Sequence, residues 1–158
     1  MDGRPRWVLL AYRLPREPST PRIGVWRQLR RLGVGQIADG VVALPLEAQA
    51  REQLDWLAQD VIDHGGEATL WLAEPGSAAH GRALAGAMAA SVAVEYGRLI
   101  AEAAAQARAS EASRRRTVGR LRRELRRIGS RDYSPGEITR RAHAAVEALG
   151  QTVEEAAS

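Results

Sequence analysis

Cysteine and lysine are both missing from this chain of 158 residues, whose 23 basic side chains are therefore all arginine. Without cysteine there is no thiol nucleophile, no redox pair and no Cys-bearing zinc site. Without lysine there is no Walker phosphate loop, no Schiff-base amine and no kinase strand lysine. Long apolar runs are missing as well. The stretch Trp7 to Tyr12 is six residues long, shorter than a secretory h-region. The longest uncharged stretch, 83–94, is twelve residues of mainly alanine between Arg82 and Glu95, below the roughly 17–25 that a membrane span needs. The expectation is a cytoplasmic protein with no membrane partner. A chain of this length buries roughly two-thirds of its unfolded surface, so it needs no structural metal or disulfide, and no cofactor is expected.

Charge is unevenly spread. Residues 1–80 carry 9 arginines against 10 acids, and residues 81–158 carry 14 against 9. From Arg108 to Arg131 there are ten arginines and only Glu111 and Glu124 to oppose them, a local balance of +8 within an overall +4. Such a density of guanidinium groups suits phosphate.

The first half alternates strand and helix signals. Trp7 to Tyr12 is apolar at both parities, which predicts a central strand covered on both faces. Ser19 or Thr20 caps a helix with Pro21 at its first position, and Gly33 stops it. On that helix Val25, Trp26, Leu29 and Leu32 share an apolar arc, and Arg27, Arg30 and Arg31 lie opposite. Gln36 to Pro45 follows. Its Asp39-Gly40 reads either as a type I′ hairpin or as a glycine bulge in one bent strand. A second helix, Glu47 to Asp63, places Ala50, Leu54, Leu57, Ala58 and Val61 on one face, with Trp56 on the other. Gly65-Gly66 then leads into a strand over Glu67 to Ala73. The order β-α-β-β-α-β predicts an α+β, ferredoxin-like domain over residues 8–75, with two helices on one sheet face. The other face must be covered by later chain or by a second subunit, with Trp7, Leu9 and Trp71 directed there and Trp26 and Trp71 expected in the core.

Residues 76–158 read as a helical extension that packs on the sheet or on a partner. Alanine fills 15 of the 35 positions from Ala78 to Ala112 without a proline, which favours helix throughout. Val118, Leu121, Leu125 and Ile128 form a two-heptad seam surrounded by arginine. After a break at Gly129 to Gly136, Ile138, Ala142, Ala145, Leu149 and Val153 mark a final amphipathic helix. Tyr133 in that break is expected to pin the last helix by packing.

Several segments carry a family resemblance. Trp7 to Pro15 (WVLLAYRLP), the block Trp26-Arg27-x-Leu29-Arg30-Arg31-Leu32-Gly33, Asp39-Gly40 through Pro45, and Leu121 to Ile128 followed by Arg131-Asp132-Tyr133 together resemble the N-terminal domain of the chromate resistance protein ChrB family. The resemblance implies a module of a bacterial chromate-responsive regulatory system, here read as lacking the family's second, chromate-response domain. A more distant similarity is to the middle domain of phenylacetate-responsive repressors and to small CRISPR-associated ferredoxin-like proteins. The latter hold a metal through an aspartate at the end of the first strand, where this chain has Tyr12-Arg13, so no metal and no nuclease chemistry are carried over.

The candidate nucleic-acid-binding residues are Arg114, Arg115, Arg116, Arg120, Arg122, Arg123, Arg126 and Arg127, with Arg27, Arg30 and Arg31 as an extension; the bland alternative is a solvated helix face. Trp56 is the candidate partner-binding residue, the alternative being cover by the C-terminal helices. Arg13 and Arg16 near a strand end are candidates to cradle an oxyanion. His64, His80 and His143 are too dispersed for a triad or a zinc site. The function expected is a non-catalytic, DNA-binding component of an oxyanion-resistance regulator. The competing expectation is an interaction module docking a separate chromate-responsive protein, and a homodimer is open in either case.

Overall fold

The computed structural model describes residues 6–158. Its elements run β1 (Trp7–Arg13), α1 (Thr20–Leu32), β2 (Gly35–Ala38), β3 (Val41–Pro45), α2 (Ala48–Asp63), β4 (Glu67–Ala73), α3 (Ala78–Ala105), α4 (Glu111–Gly129) and α5 (Glu137–Ala157). The fold is the expected α+β arrangement: a ferredoxin-like antiparallel sheet followed by a long helical half. The chain divides into two compact units within α3, one up to Met88 and the other Ala89–Ser158.

In the first unit the sheet order is β2-β3-β1-β4, all neighbours antiparallel. This puts β1 in the centre, which is why both of its faces are apolar. Val8 and Leu10 are fully buried, and they oppose Leu44 and Val42 of β3 on the helix-covered face. There they meet Val25 and Leu29 of α1, and Leu54, Leu57 and Val61 of α2, all buried. The five positions expected to face inward on α2 are the five buried ones. Gly33 closes α1 in the left-handed region at φ 74°, a conformation that favours glycine.

On the opposite face, Trp7 is buried and Leu9 half-buried. The first turns of α3 lie over part of this face. A Cβ on Gly35 would sit 2.6 Å from Leu84 and 2.8 Å from Met88, so the absence of a side chain there is what lets α3 approach β2.

Several expectations are corrected. Trp26 is 52% exposed and Trp71 58% exposed, so neither is core. On α1 the buried residues are Val25 and Leu29, four apart, and Trp26 falls at the flank of that stripe. Trp71 sits opposite Leu9 on the edge strand β4, away from the side on which Leu84 and Met88 reach Gly35, and its indole donates to Thr69 Oγ1 at 2.9 Å. The turn at Asp39-Gly40 joins two strands, but only Gly40 has positive φ (74°), whereas type I′ requires it at both positions. A bulge also occurs in β2 between Gln36 and Ala38.

The second unit contains the later part of α3 with α4 and α5. Val92, Tyr96, Leu99 and Ala103 of α3 share a core with the whole expected seam of α4, Val118, Leu121, Leu125 and Ile128, and with Ala142, Val146 and Leu149 of α5. Helix does not continue through Ala112 as alanine content suggests. It ends at Ala105, and Ser110 caps α4 by accepting from the backbone N–H of Ser113 at 3.3 Å. Taken over its whole length, α3 has a window of mean hydropathy 1.2, enough by length and composition for a span, although only 17% of it is buried within the protein. That hydropathy comes from Leu84, Val92, Val94, Leu99 and Ile100 together with the alanines, and Arg82, Glu95, Arg98 and Glu102 are spaced along the helix.

Candidate nucleic-acid interface

The arginines of α4 are sorted by the helix itself. At about 100° per residue the buried seam occupies one side, and Arg116, Arg123 and Arg126 fall within an arc of about 80° on the other. All three are exposed, and among the described residues none holds an ion pair. They span about 15 Å of helix axis.

The flanking arginines are engaged. Arg115 pairs with Glu111 at 2.7 Å and Arg127 with Glu124 at 2.8 Å, both within one turn of α4. Arg120 reaches Glu102 of α3, whose carboxylate favours its charged form, and Arg122 reaches Glu147 of α5 at 3.9 Å. Arg122 crosses Gly150 on the way, where an added Cβ would lie 2.8 Å from its guanidinium. Arg114 is half-buried and folds back to donate to the Ala109 carbonyl at 2.6 Å. Of the eight arginines singled out on this helix, Arg115, Arg120, Arg122 and Arg127 thus have acidic partners, Arg114 is turned back on the chain, and three have no acidic partner among the described residues. Exposed ion pairs of this sort contribute little stability, but they neutralise charge that would otherwise face a polyanion.

On α1, Arg27, Arg30 and Arg31 are exposed as expected. Arg30 stacks on the Trp26 ring, 4.8 Å from its centroid. Arg27 borders an open cleft of about 720 Å³ with Arg13, Arg22, Tyr12 and Asp39. Burial pushes the Tyr12 hydroxyl pKa up, and the nearby Arg22 pulls it the other way. Arg13 is held by Glu67, its cross-strand neighbour, at 2.9 Å, and Arg16 is not part of the cleft lining. The two arginines considered for an oxyanion are therefore not brought together, and Arg22 and Arg27 are the cations that accompany Arg13.

Trp56, on the outer side of α2, is 72% exposed. His64 Nδ1 lies 2.8 Å from the Asp60 carbonyl oxygen and 3.4 Å from the Asp60 carboxylate. Among the described residues no three metal-ligating side chains gather.

Sequence reading missed the polar junction behind α4. Asp132, in the α4–α5 connection, accepts from Tyr96 Oη at 3.1 Å and Thr139 Oγ1 at 2.9 Å, and from the backbone N–H of Ser134 at 3.2 Å. Beside it, Arg131 pairs with Glu95. Burial, followed by the bond to Asp132 and its charge, pushes the Tyr96 pKa up to about 12. The Arg131-Asp132-Tyr133 turn is thus tied to α3 through its aspartate, a role its position beside a helix break hints at.

These features define a protein with a ferredoxin-like sheet unit and an arginine-faced helical unit. The family model for the N-terminal region of Protein ChrB matches residues 22–158, and the chain belongs to that family. Protein ChrB of Cupriavidus metallidurans is similar to it, 35% identical over 66 residues that make up 42% of this chain and 20% of that protein. The aligned stretch is thus about a fifth of that relative's length. No solved structure matches.

Proposed function

We propose that this chain is a non-catalytic, cytoplasmic module of a chromate- or oxyanion-resistance regulatory system, and that it binds DNA through the outer face of α4. Membership of the ChrB N-terminal family supports the resistance role. The observation that supports DNA is the stripe of Arg116, Arg123 and Arg126, three guanidinium groups on one exposed face with no acidic partner among the described residues. Contacts of this kind grip phosphate without reading bases, so the expected mode is backbone binding with steep salt dependence. Fluorescence anisotropy with a labelled duplex tests it. Binding at low salt should weaken with a log–log slope of about −0.9 per phosphate neutralised. No binding at low salt would contradict the proposal.

A second reading is favoured by Trp56. A tryptophan 72% exposed on a helix is the kind of residue that anchors a partner, here a separate chromate-responsive protein. Trp56→Ala should abolish capture of such a partner and leave DNA affinity unchanged.

A further inference from the structure

The arginine-lined cleft of the sheet unit has walls of two kinds. Its lining comes from the end of β1, from α1 and from the Asp39-Gly40 turn, and its volume is about 720 Å³. That is far more than a tetrahedral oxyanion fills, and it is the size of a site for a larger small molecule. At about 100° per residue along α1, Trp26 and Ile23 fall between Arg22 on one side and Arg27 on the other. Ile23 is 47% exposed, and Trp26 is 52% exposed even with Arg30 stacked on its ring. Large apolar side chains left in water and bracketed by cations suit a ligand that is itself divided, with a flat apolar body and an anionic head.

Four donors say which anion. Among the described residues the guanidinium groups of Arg22 and Arg27 hold no ion pair or hydrogen bond, and the hydroxyls of Tyr12 and Ser19 have no hydrogen-bond partner. Ser19 precedes α1 without capping it through its side chain. Tyr12 continues the row of Val8 and Leu10 on the helix-covered face of β1 and is half-buried; burial raises its hydroxyl pKa, and the charge of Arg22 nearby opposes the rise. Asp39 brings one negative charge and Arg13 is held by Glu67, so Arg22 and Arg27 leave the lining cationic. Two guanidinium forks and two hydroxyls exceed what the two oxygens of a carboxylate need, and they suit the three terminal oxygens of a phosphate monoester.

We propose that this cleft binds a free aromatic phosphate monoester of one or two fused rings, whose phosphate is received by Arg22, Arg27, Tyr12 and Ser19 while its ring packs on Trp26 and Ile23. The site is independent of the α4 surface, and its failure would leave the DNA proposal standing.

The test is a titration of the ¹⁵N-labelled chain with 2-naphthyl phosphate, 2-naphthol, 2-naphthoate and inorganic phosphate, which separates the ring from the head. The Trp26 indole resonance, assigned by its loss in Trp26→Phe, should shift saturably with naphthyl phosphate. That compound should bind about tenfold more tightly than naphthol, which lacks the charge-assisted bonds, and about tenfold more tightly than inorganic phosphate, which lacks the ring. Naphthoate should fall between naphthyl phosphate and naphthol. R22Q/R27Q changes two exposed side chains, so it should keep the far-UV spectrum and lower the affinity for naphthyl phosphate to that for naphthol; R116Q/R123Q/R126Q should leave it unchanged. An indole resonance that does not move at millimolar naphthyl phosphate would overturn the proposal. So would naphthol, naphthoate or inorganic phosphate binding as tightly, undiminished binding in R22Q/R27Q, or loss of binding in the α4 variant.

Discussion

The two units present different surfaces. In the sheet unit Ile23, Trp26, Ile37, Trp56, Ile62, Trp71 and Leu72 are large apolar residues left exposed, whereas in the helical unit Val94 alone meets that description among the described residues. The helical unit instead exposes guanidinium groups, of which Arg115, Arg120, Arg122 and Arg127 are held in ion pairs. On the function proposed above, the helical unit would meet a polyanion through those arginines its own acids leave free, and the exposed apolar residues of the sheet unit are where a partner would dock. Local charge density overstates such a surface, because glutamates from neighbouring helices cancel part of it.

The largest effects that can break this comparison come from the cores. Leu121 and Leu54 are each 1% exposed or less, so Leu121→Ala and Leu54→Ala should cost about 2–5 kcal/mol. All four tryptophans lie in the sheet unit. Leu121→Ala should therefore lower the far-UV circular dichroism transition ahead of the tryptophan fluorescence transition, and Leu54→Ala should do the reverse. Coincident shifts in both variants would show one cooperative block instead of two.

A smaller effect is expected at the polar junction. Asp132→Ala leaves Tyr96 Oη and Thr139 Oγ1 without their acceptor and should cost about 1–3 kcal/mol in chemical denaturation. The same junction predicts a pH dependence. The Tyr96 pKa is raised from 10.0 to about 12 in the folded protein, so the folded state holds that proton more tightly than the unfolded chain does. Its contribution is fully present below pH 10 and is lost as pH rises from about 10 to 12. Tyr96→Phe should remove that component from the alkaline denaturation profile; an unchanged profile would mean the hydroxyl is not what titrates.

The smallest effect on stability is expected at Trp56. At 72% exposure, Trp56→Ala should change the melting free energy by no more than about 0.5 kcal/mol, as measured by denaturant titration. A larger loss would mean that the residue packs within the chain and does not await a partner.

Much of the fold was legible in order and period. The apolar parity of Trp7 to Tyr12 indicated a central strand, and the spacing from Ala50 to Val61 marked the buried face of α2. What escaped depends on distant neighbours. Trp26 and Trp71 carry the residue type of a core, but β4 is at the sheet edge and α1 buries only Val25 and Leu29, and both tryptophans are exposed. The break after Ala105 was hidden by alanine, whose propensity extends a helix past the point at which Ser110 caps the next. The site was half legible. The arginine cluster was plain, but Arg120 and Arg122 are neutralised by Glu102 and Glu147, 18 and 25 positions away, on helices whose packing the sequence does not display.

The most direct measurement compares two charge-matched variants of α4. One replaces the free arginines, R116Q/R123Q/R126Q; the other replaces three paired ones, R115Q/R120Q/R127Q. Each lowers the net charge by the same three units, so a nonspecific charge effect would treat them alike. The account predicts that the first variant flattens the salt slope of duplex binding by about 2.7 and loses most of its low-salt affinity, and that the second stays near the parent because its arginines were already engaged. Equal losses in both, or a larger loss in the second, would contradict it.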